Sequence, residues 1–240
     1  MAATLAELQA DLILCDLDRS ALDELADNIQ SDFDVSSHKL VLNLEDKRAV
    51  SAVKNAVLNH SDTLDILVNN AAFVGTSELE GWNAPFEEQS IETWDRAMDV
   101  NLSAAFTISQ KLYPLLKKSG AGNIINVGSI YGMYGPDNSL YEGLDMHNPA
   151  AYAASKGGLL QLTRYLATVM APDVRVNTLS PGGVFRHQDE RFVERYIART
   201  PLKRMATEDD LRGALTFLAS DMSSYVTGQN IMVDGGWGAW

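Results

Sequence analysis

Short apolar runs alternate with longer amphipathic stretches along the whole chain of 240 residues. Asp11 to Cys15 (DLILC), His38 to Leu42, Leu64 to Val68 (LDILV), Asn123 to Val127 (NIINV), Val174 to Leu179 and Asn230 to Val233 read as strands. They are apolar almost throughout rather than at alternate positions, as strands covered on both faces must be. Between them, Ser20 to Gln30, Asp46 to Asn59, Ile91 to Leu116, Ala150 to Met170 and Thr207 to Ala219 read as helices. Val50, Val53 and Val57 show the helical apolar spacing, and Ser20 is the expected N-cap of the first of these helices, with Glu24 near the capping-box position. Met1 to Gln9 reads as the end of a further helix.

Strands and helices in alternation predict right-handed crossovers and a parallel sheet covered on both faces. The expected fold class is α/β: a doubly wound, Rossmann-like, three-layer α/β/α arrangement in one domain over residues 1–240. Folds of this kind bind ligands beyond the carboxyl ends of their strands, so the residues just after each strand carry the candidate chemistry. Asp16 follows the first strand, where a carboxylate can accept from both ribose hydroxyls of an adenosine and repel a 2′-phosphate. Arg19 is near enough to keep a phosphorylated ribose in play. Asn69-Asn70-Ala71-Ala72 follows the third strand, its small residues letting a flat ligand approach the backbone. Gly128-Ser129 follows the fourth. Tyr152 and Lys156 lie four residues apart on the next helix, hence on one face of it. A phenol with its ordinary pKa of ~10 is a poor base near neutrality, and a neighbouring ammonium draws that value down.

Composition narrows the ligand class. The formal net charge of −13 argues against binding to phosphate backbones or to an anionic leaflet. No apolar run reaches the ~18 residues of a membrane span, and no secretory leader is read at the start, so the expected compartment is the cytoplasm. Cys15 is the single cysteine and the four histidines show no ligand spacing, so no metal site is expected.

Taken in order, these residues resemble the classical short-chain dehydrogenase/reductase family. Asp65-Ile-Leu-Val-Asn-Asn-Ala-Ala72 is similar to its central-strand motif, Asn101 in Asp-Val-Asn-Leu to its helix asparagine, and Ser129, Tyr152 and Lys156 to its catalytic serine, tyrosine and lysine. Ser180-Pro-Gly-Gly resembles the turn beside the nicotinamide, and Gly228 to Gly236 the C-terminal signature. The resemblance also reaches bacterial surface-sugar and flagellin-glycan reductases through the segment from Tyr141 to Pro149 and the run from Tyr152 to Gly158. It implies an oxidoreductase moving a hydride between NAD(H), with NADP not excluded, and a hydroxyl/carbonyl substrate such as a sugar derivative. Tyr152 would be the general acid/base, Lys156 would lower its pKa and bind the nicotinamide ribose, Ser129 would orient the carbonyl, and Asn101 would hold a relay water. Asp16, Asn43, Leu44 and Asn70 would line the adenosine side, with Ala71, Ala72, Pro181, Gly182 and Val184 as further cofactor contacts. A homodimer or homotetramer built on the two long helices is implied as well.

Three departures from the family pattern stand out. A first strand with its glycine-rich turn, on the order of 20 residues, has no counterpart before the strand at Asp11. The missing strand would lie between those at Asp11 and Leu64, at the centre of the sheet. Either Met1 is an internal methionine taken for the start, or the chain is a shortened, rearranged relative. Next, Ser129 and Tyr152 are 23 residues apart, a wide interval. The extra segment 133–149, with Tyr141 and His147, is expected to form a substrate loop. Last, Gly183-Val-Phe-Arg-His187 replaces the usual residues after the Pro-Gly turn, within an expected lid over 182–206. Arg186 and His187 there are candidate contacts to an anionic substrate. Two other readings remain: a cofactor-free binding or scaffold protein, and a nucleotide-sugar epimerase or dehydratase.

Overall fold

The computed structural model describes residues 1–74 and 77–240. In chain order the main elements are α1 (Ala2–Glu7), β1 (Leu12–Asp16), α2 (Arg19–Asp32), β2 (Ser37–Val41), α3 (Ala49–His60), β3 (Ile66–Asn69), α4 (Ile91–Met98), α5 (Ala104–Ser119), β4 (Gly122–Val127), α6 (Ala150–Met170), β5 (Val174–Pro181), α7 (Glu190–Arg199), α8 (Arg212–Ala219) and β6 (Asn230–Val233).

Helices cover both faces of the strands. On one side, Val53 and Val57 of α3, Ile108 and Leu112 of α5 and Leu166 and Met170 of α6 pack on Ile124 and Val176. On the other, Leu5 of α1, Leu22 and Ile29 of α2 and Leu215 and Leu218 of α8 pack on Leu12, Leu14, Ile125 and Leu179. This is the Rossmann-like three-layer arrangement the alternation predicts. No helix among the described residues is long and apolar enough to cross a membrane.

The parallel strands form two pieces. β1 pairs with β2, while β3, β4, β5 and β6 pair in that order. Among the described residues no strand lies between β1 and β3, so two backbone edges face each other across a slot. The slot belongs to a cavity of about 1800 Å³ that runs from Leu12–Asp16 and Ile66–Asn69 up to Ser129 and Pro181. The division falls where the resemblance puts the absent strand. Cys15 is exposed and every residue of β3 is only half-buried, so water reaches edges that a central strand would cover.

Four local readings need correcting. Asp18, not Ser20, caps α2: its carboxylate accepts from the backbone N–H groups of Ser20 and Ala21 at 2.8 and 3.2 Å. The stretch from Ile91 to Leu116 is not one helix. It is broken by a π-type turn at Asp99–Ser103 and then continues to Ser119, where Gly120 at φ +77 closes it in the left-handed region. Thr207 to Ala219 is helical only from Arg212, after a short 3₁₀ turn at Asp209–Leu211. Finally, α7 falls in the stretch read only as a lid.

Candidate active site

The strand ends of β3, β4 and β5 and the first two turns of α6 meet at one end of the cavity. Gly128 after β4 is required by space: a Cβ there would stand 2.4 Å from the Ser180 hydroxyl oxygen. The close passage sets Ser129 in extended backbone, with its hydroxyl accepting the Tyr131 N–H at 3.2 Å. Gly132 lies against the backbone of Lys156, where a Cβ would come within 2.9 Å. The turn after β4 is thereby fixed on α6, and Ser129 beside Tyr152.

Lys156 is 3% exposed and donates to the Val127 carbonyl at 2.7 Å. Its Nζ lies 5.8 Å from the centre of the Tyr152 ring. Burial lowers the Lys156 ammonium to about 8. Burial also raises the Tyr152 phenol above its ordinary range, while the facing Ser129 hydroxyl pulls it back. Asn101, carried inward by the π-type turn, accepts from the Phe73 N–H at 2.7 Å and donates to the Phe73 carbonyl and the Ser155 hydroxyl at 3.2 and 3.1 Å. Both its donors are used, so toward a water it can only accept. Its visible task is to tie the segment after β3 to α6.

Asn69 and its partners explain the polar strand ends. Asn69 donates to Asn126 at 2.8 Å, Asn126 donates to Thr163 at 2.8 Å, and the Thr163 and Thr178 hydroxyls lie 2.7 Å apart. Asn70, Ala71 and Ala72 then line the cavity. At its far end Asp16 accepts the Asp18 N–H at 3.0 Å, and Asn43 accepts the Glu45 N–H at 3.0 Å. Leu44 packs into the core beside them. Pro181, Gly182 and Val184 form the opposite wall.

The candidate substrate contacts divide. Tyr141 and His147 line the cavity, the His147 N–H donating to the Asn83 side chain at 2.6 Å. Arg186 lines it too, but is paired with Glu208 at 2.5 Å. His187 does not line it. Its backbone is left-handed at φ +58, which turns the ring onto Phe185 and toward a separate pocket beside Trp82 and Asn83.

Sequence reasoning passed over Tyr131 and Tyr196. The Tyr131 hydroxyl lies 2.8 Å from that of Tyr141. Tyr196 accepts the Gly183 N–H at 2.6 Å, and its ring occupies the space that a Cβ at Gly183 would need. The position of Tyr131 two residues after Ser129 was a signal for the first. The pair Phe192 and Tyr196, four apart, was one for the second.

A doubly wound fold with serine, tyrosine and lysine gathered at the strand ends defines a dehydrogenase/reductase of the Rossmann type. Residues 1–238 match the family model described as enoyl-(acyl carrier protein) reductase. The post-translational flagellin modification protein A of Campylobacter coli is 31% identical over 94% of this chain and 88% of its own length. A crystal structure of a gluconate 5-dehydrogenase from Burkholderia cenocepacia, in complex with NADP and tartrate, superposes with a TM-score of 0.85 at 28% identity, covering 100% of this chain and 89% of that one. A short-chain dehydrogenase from Leptospira borgpetersenii with bound NAD+ gives a TM-score of 0.78 at 32% identity, covering 95% and 93%. The chain belongs to the classical short-chain dehydrogenase/reductase family of NAD(P)-dependent oxidoreductases.

The residues present fit the two ends of such a dinucleotide. The buried Lys156 ammonium has three donors and spends one on Val127, which leaves two for an acceptor such as a ribose hydroxyl. Asp16 keeps a free carboxylate oxygen at the other end. The middle differs: among the described residues the glycines lining the cavity are Gly128, Gly182 and Gly183, and none of these three opens a helix that could cradle a pyrophosphate.

Proposed function

We propose that this protein interconverts a hydroxyl and a carbonyl on a sugar or sugar derivative, with NAD(H) preferred over NADP(H). The observation that carries the reading is the Lys156 ammonium, buried beside Tyr152 with donors to spare, an arrangement that a scaffold has no use for. A bound nicotinamide dinucleotide supplies or accepts the hydride. Ser129 holds the substrate oxygen in place, and the Tyr152 hydroxyl gives it a proton in reduction or takes one in oxidation. Lys156 stabilises the phenolate that this exchange leaves and binds ribose hydroxyls. Asn101 positions the segment after β3 against α6. Asn70, Ala71, Ala72, Pro181, Gly182 and Val184 would shape the nicotinamide side, while Asp16, Asn43 and Leu44 would hold the adenosine. The Asp16 carboxylate, repelling a 2′-phosphate, supports the NAD preference.

The sugar-type substrate is supported by the gluconate dehydrogenase and flagellin-modification relatives and by the polar wall of Tyr131, Tyr141 and His147. Segment 133–149 acts as the substrate loop and 182–206 as the lid. Exposed Phe106 on α5 and Tyr165 and Val169 on α6 support assembly of copies of the chain through these helices.

Replacing Tyr152 with Phe removes the acid/base and keeps the ring. Turnover should fall by about 100-fold or more with the circular dichroism spectrum unchanged, since proton transfer by a placed group contributes about that much. Retained turnover would overturn the mechanism.

A further inference from the structure

The Tyr131 and Tyr141 hydroxyls stand 2.8 Å apart, and both rings line the cavity with Ser129 and Tyr152. Neither is used in the chemistry above. Both are held firmly. The Tyr131 N–H donates to the Ser129 hydroxyl oxygen at 3.2 Å, so this ring follows the group that aligns the carbonyl. Tyr141 comes from the inserted segment, where the Leu140 and Glu142 carbonyls on either side of it accept from Arg195 at 3.2 and 2.7 Å. Its ring packs on Phe192 with centroids 5.5 Å apart. Burial, with the neighbouring Tyr141 phenol, keeps Tyr131 protonated well above the ordinary tyrosine range.

Two neutral phenols own two protons, and their mutual bond uses one. One O–H donor remains, together with acceptor lone pairs. A hydroxyl on the substrate, which both donates and accepts, satisfies that set. A carboxylate finds only the single donor. An alkyl group leaves the buried O–H without a partner, and sites built for a polar group discriminate strongly against analogues that lack it.

We propose that the Tyr131–Tyr141 pair is a specificity determinant that selects substrates carrying a hydroxyl close to the reacting carbon. This rests on the oxidoreductase reading and deepens it.

The test compares reduction of 2-hydroxycyclohexanone and cyclohexanone by the wild type, Tyr131→Phe and Tyr141→Phe. The wild type should favour the hydroxyketone. Either substitution should reduce the ratio of the two kcat/KM values by about 10- to 100-fold, as loss of a buried hydrogen bond to the distinguishing group does. A ratio that stays put while both rates fall assigns the pair to structure only and overturns the proposal; so does a ratio unchanged at full rates. Saturation-transfer NMR gives a second readout, free of turnover, with trans-1,2-cyclohexanediol and cyclohexanol as probes. The diol should receive the stronger saturation from the wild type, and the difference should vanish in the double Phe variant. Wild type that binds the diol selectively and reduces neither ketone would sink the oxidoreductase reading and leave the pair standing. Wild type that reduces cyclohexanone but does not distinguish the diol would sink the pair alone.

Discussion

Lys156 is buried and charged at once, and the conflict has a measurable sign. Its folded pKa is about 8, against ~10.4 for a free lysine. Between those values the unfolded chain holds a proton that the folded chain has released. This contribution to stability therefore rises with pH from about 8, and is lost again as pH falls back through 8. Tyr152 runs the other way. Its raised pKa makes the unfolded phenol the first to ionise, so stability falls above about pH 10. Denaturant titrations at pH 8, 9 and 10 should show wild type gaining stability relative to Lys156→Met across that window; parallel profiles would refute the lowered ammonium. At this scale the sequence was readable where chemistry depends on local spacing. Tyr152 and Lys156, four apart on α6, are of that kind. The pairing of Tyr131 with Tyr141 was not readable, because Tyr141 reaches it only through the fold of the insert. The inward turn of Asn101 depends on a one-residue slip in helical phase that no propensity marks.

Helix α7 shows what the element scale adds. Arg191, Arg195 and Arg199 recur every fourth residue and so share a face. Arg191 donates to the Gly143 carbonyl at 3.3 Å, Arg195 to those of Ser139, Leu140 and Glu142 at 3.4, 3.2 and 2.7 Å, and Arg199 pairs with Asp137. The inserted segment is thus clamped to the lid helix through its middle, residues 137–143. Trp237 completes the clamp, its ring stacked on Tyr196 with centroids 6.1 Å apart and under the Arg199 guanidinium at 4.3 Å. Arg195→Ala should weaken the clamp by about 2 kcal/mol, the usual worth of a charge-assisted set. Hydrogen exchange in residues 138–144 should speed up, and KM for the substrate should rise more than kcat falls; unchanged exchange would show that the insert holds itself. The long helices α5 and α6 were legible because their apolar stripes run for several turns. α7 was not, because the stripe of Phe192, Val193, Tyr196 and Ile197 is short and set among charged residues, as on any solvated surface.

At the scale of the whole molecule the divided sheet dominates. The parallel sheet and the three layers could be read from alternation alone, and the position of the slot followed from the family resemblance. Its wetness could not, since it depends on the width of the opening between β1 and β3. Amides of β4 and β5, bonded on both sides, should exchange slowly. In β1 and β3 alternate amides face the slot and should exchange much faster, as exposed edges do. Uniform protection across β1 and β3, measured on residues 1–240, would show that the slot is closed in solution.

The polar strand ends have one more consequence. Asn69 is registered with Asn126, Asn126 with Thr178, and Thr178 with Asn230, giving a single row across four strands. Apolar parallel strands are indifferent to sliding by two residues, since the same faces stay covered. Here such a slide would part Asn126 from Asn69 and Thr178 and break the bonds to Asn69 and Thr163. The row therefore works as a vernier mark. It leaves one alignment of the strands in which Asn69, Asn126 and Thr178 stay linked, directly or through Thr163, and that alignment is the one that brings Gly128, Ser129 and Pro181 level at the mouth of the cavity.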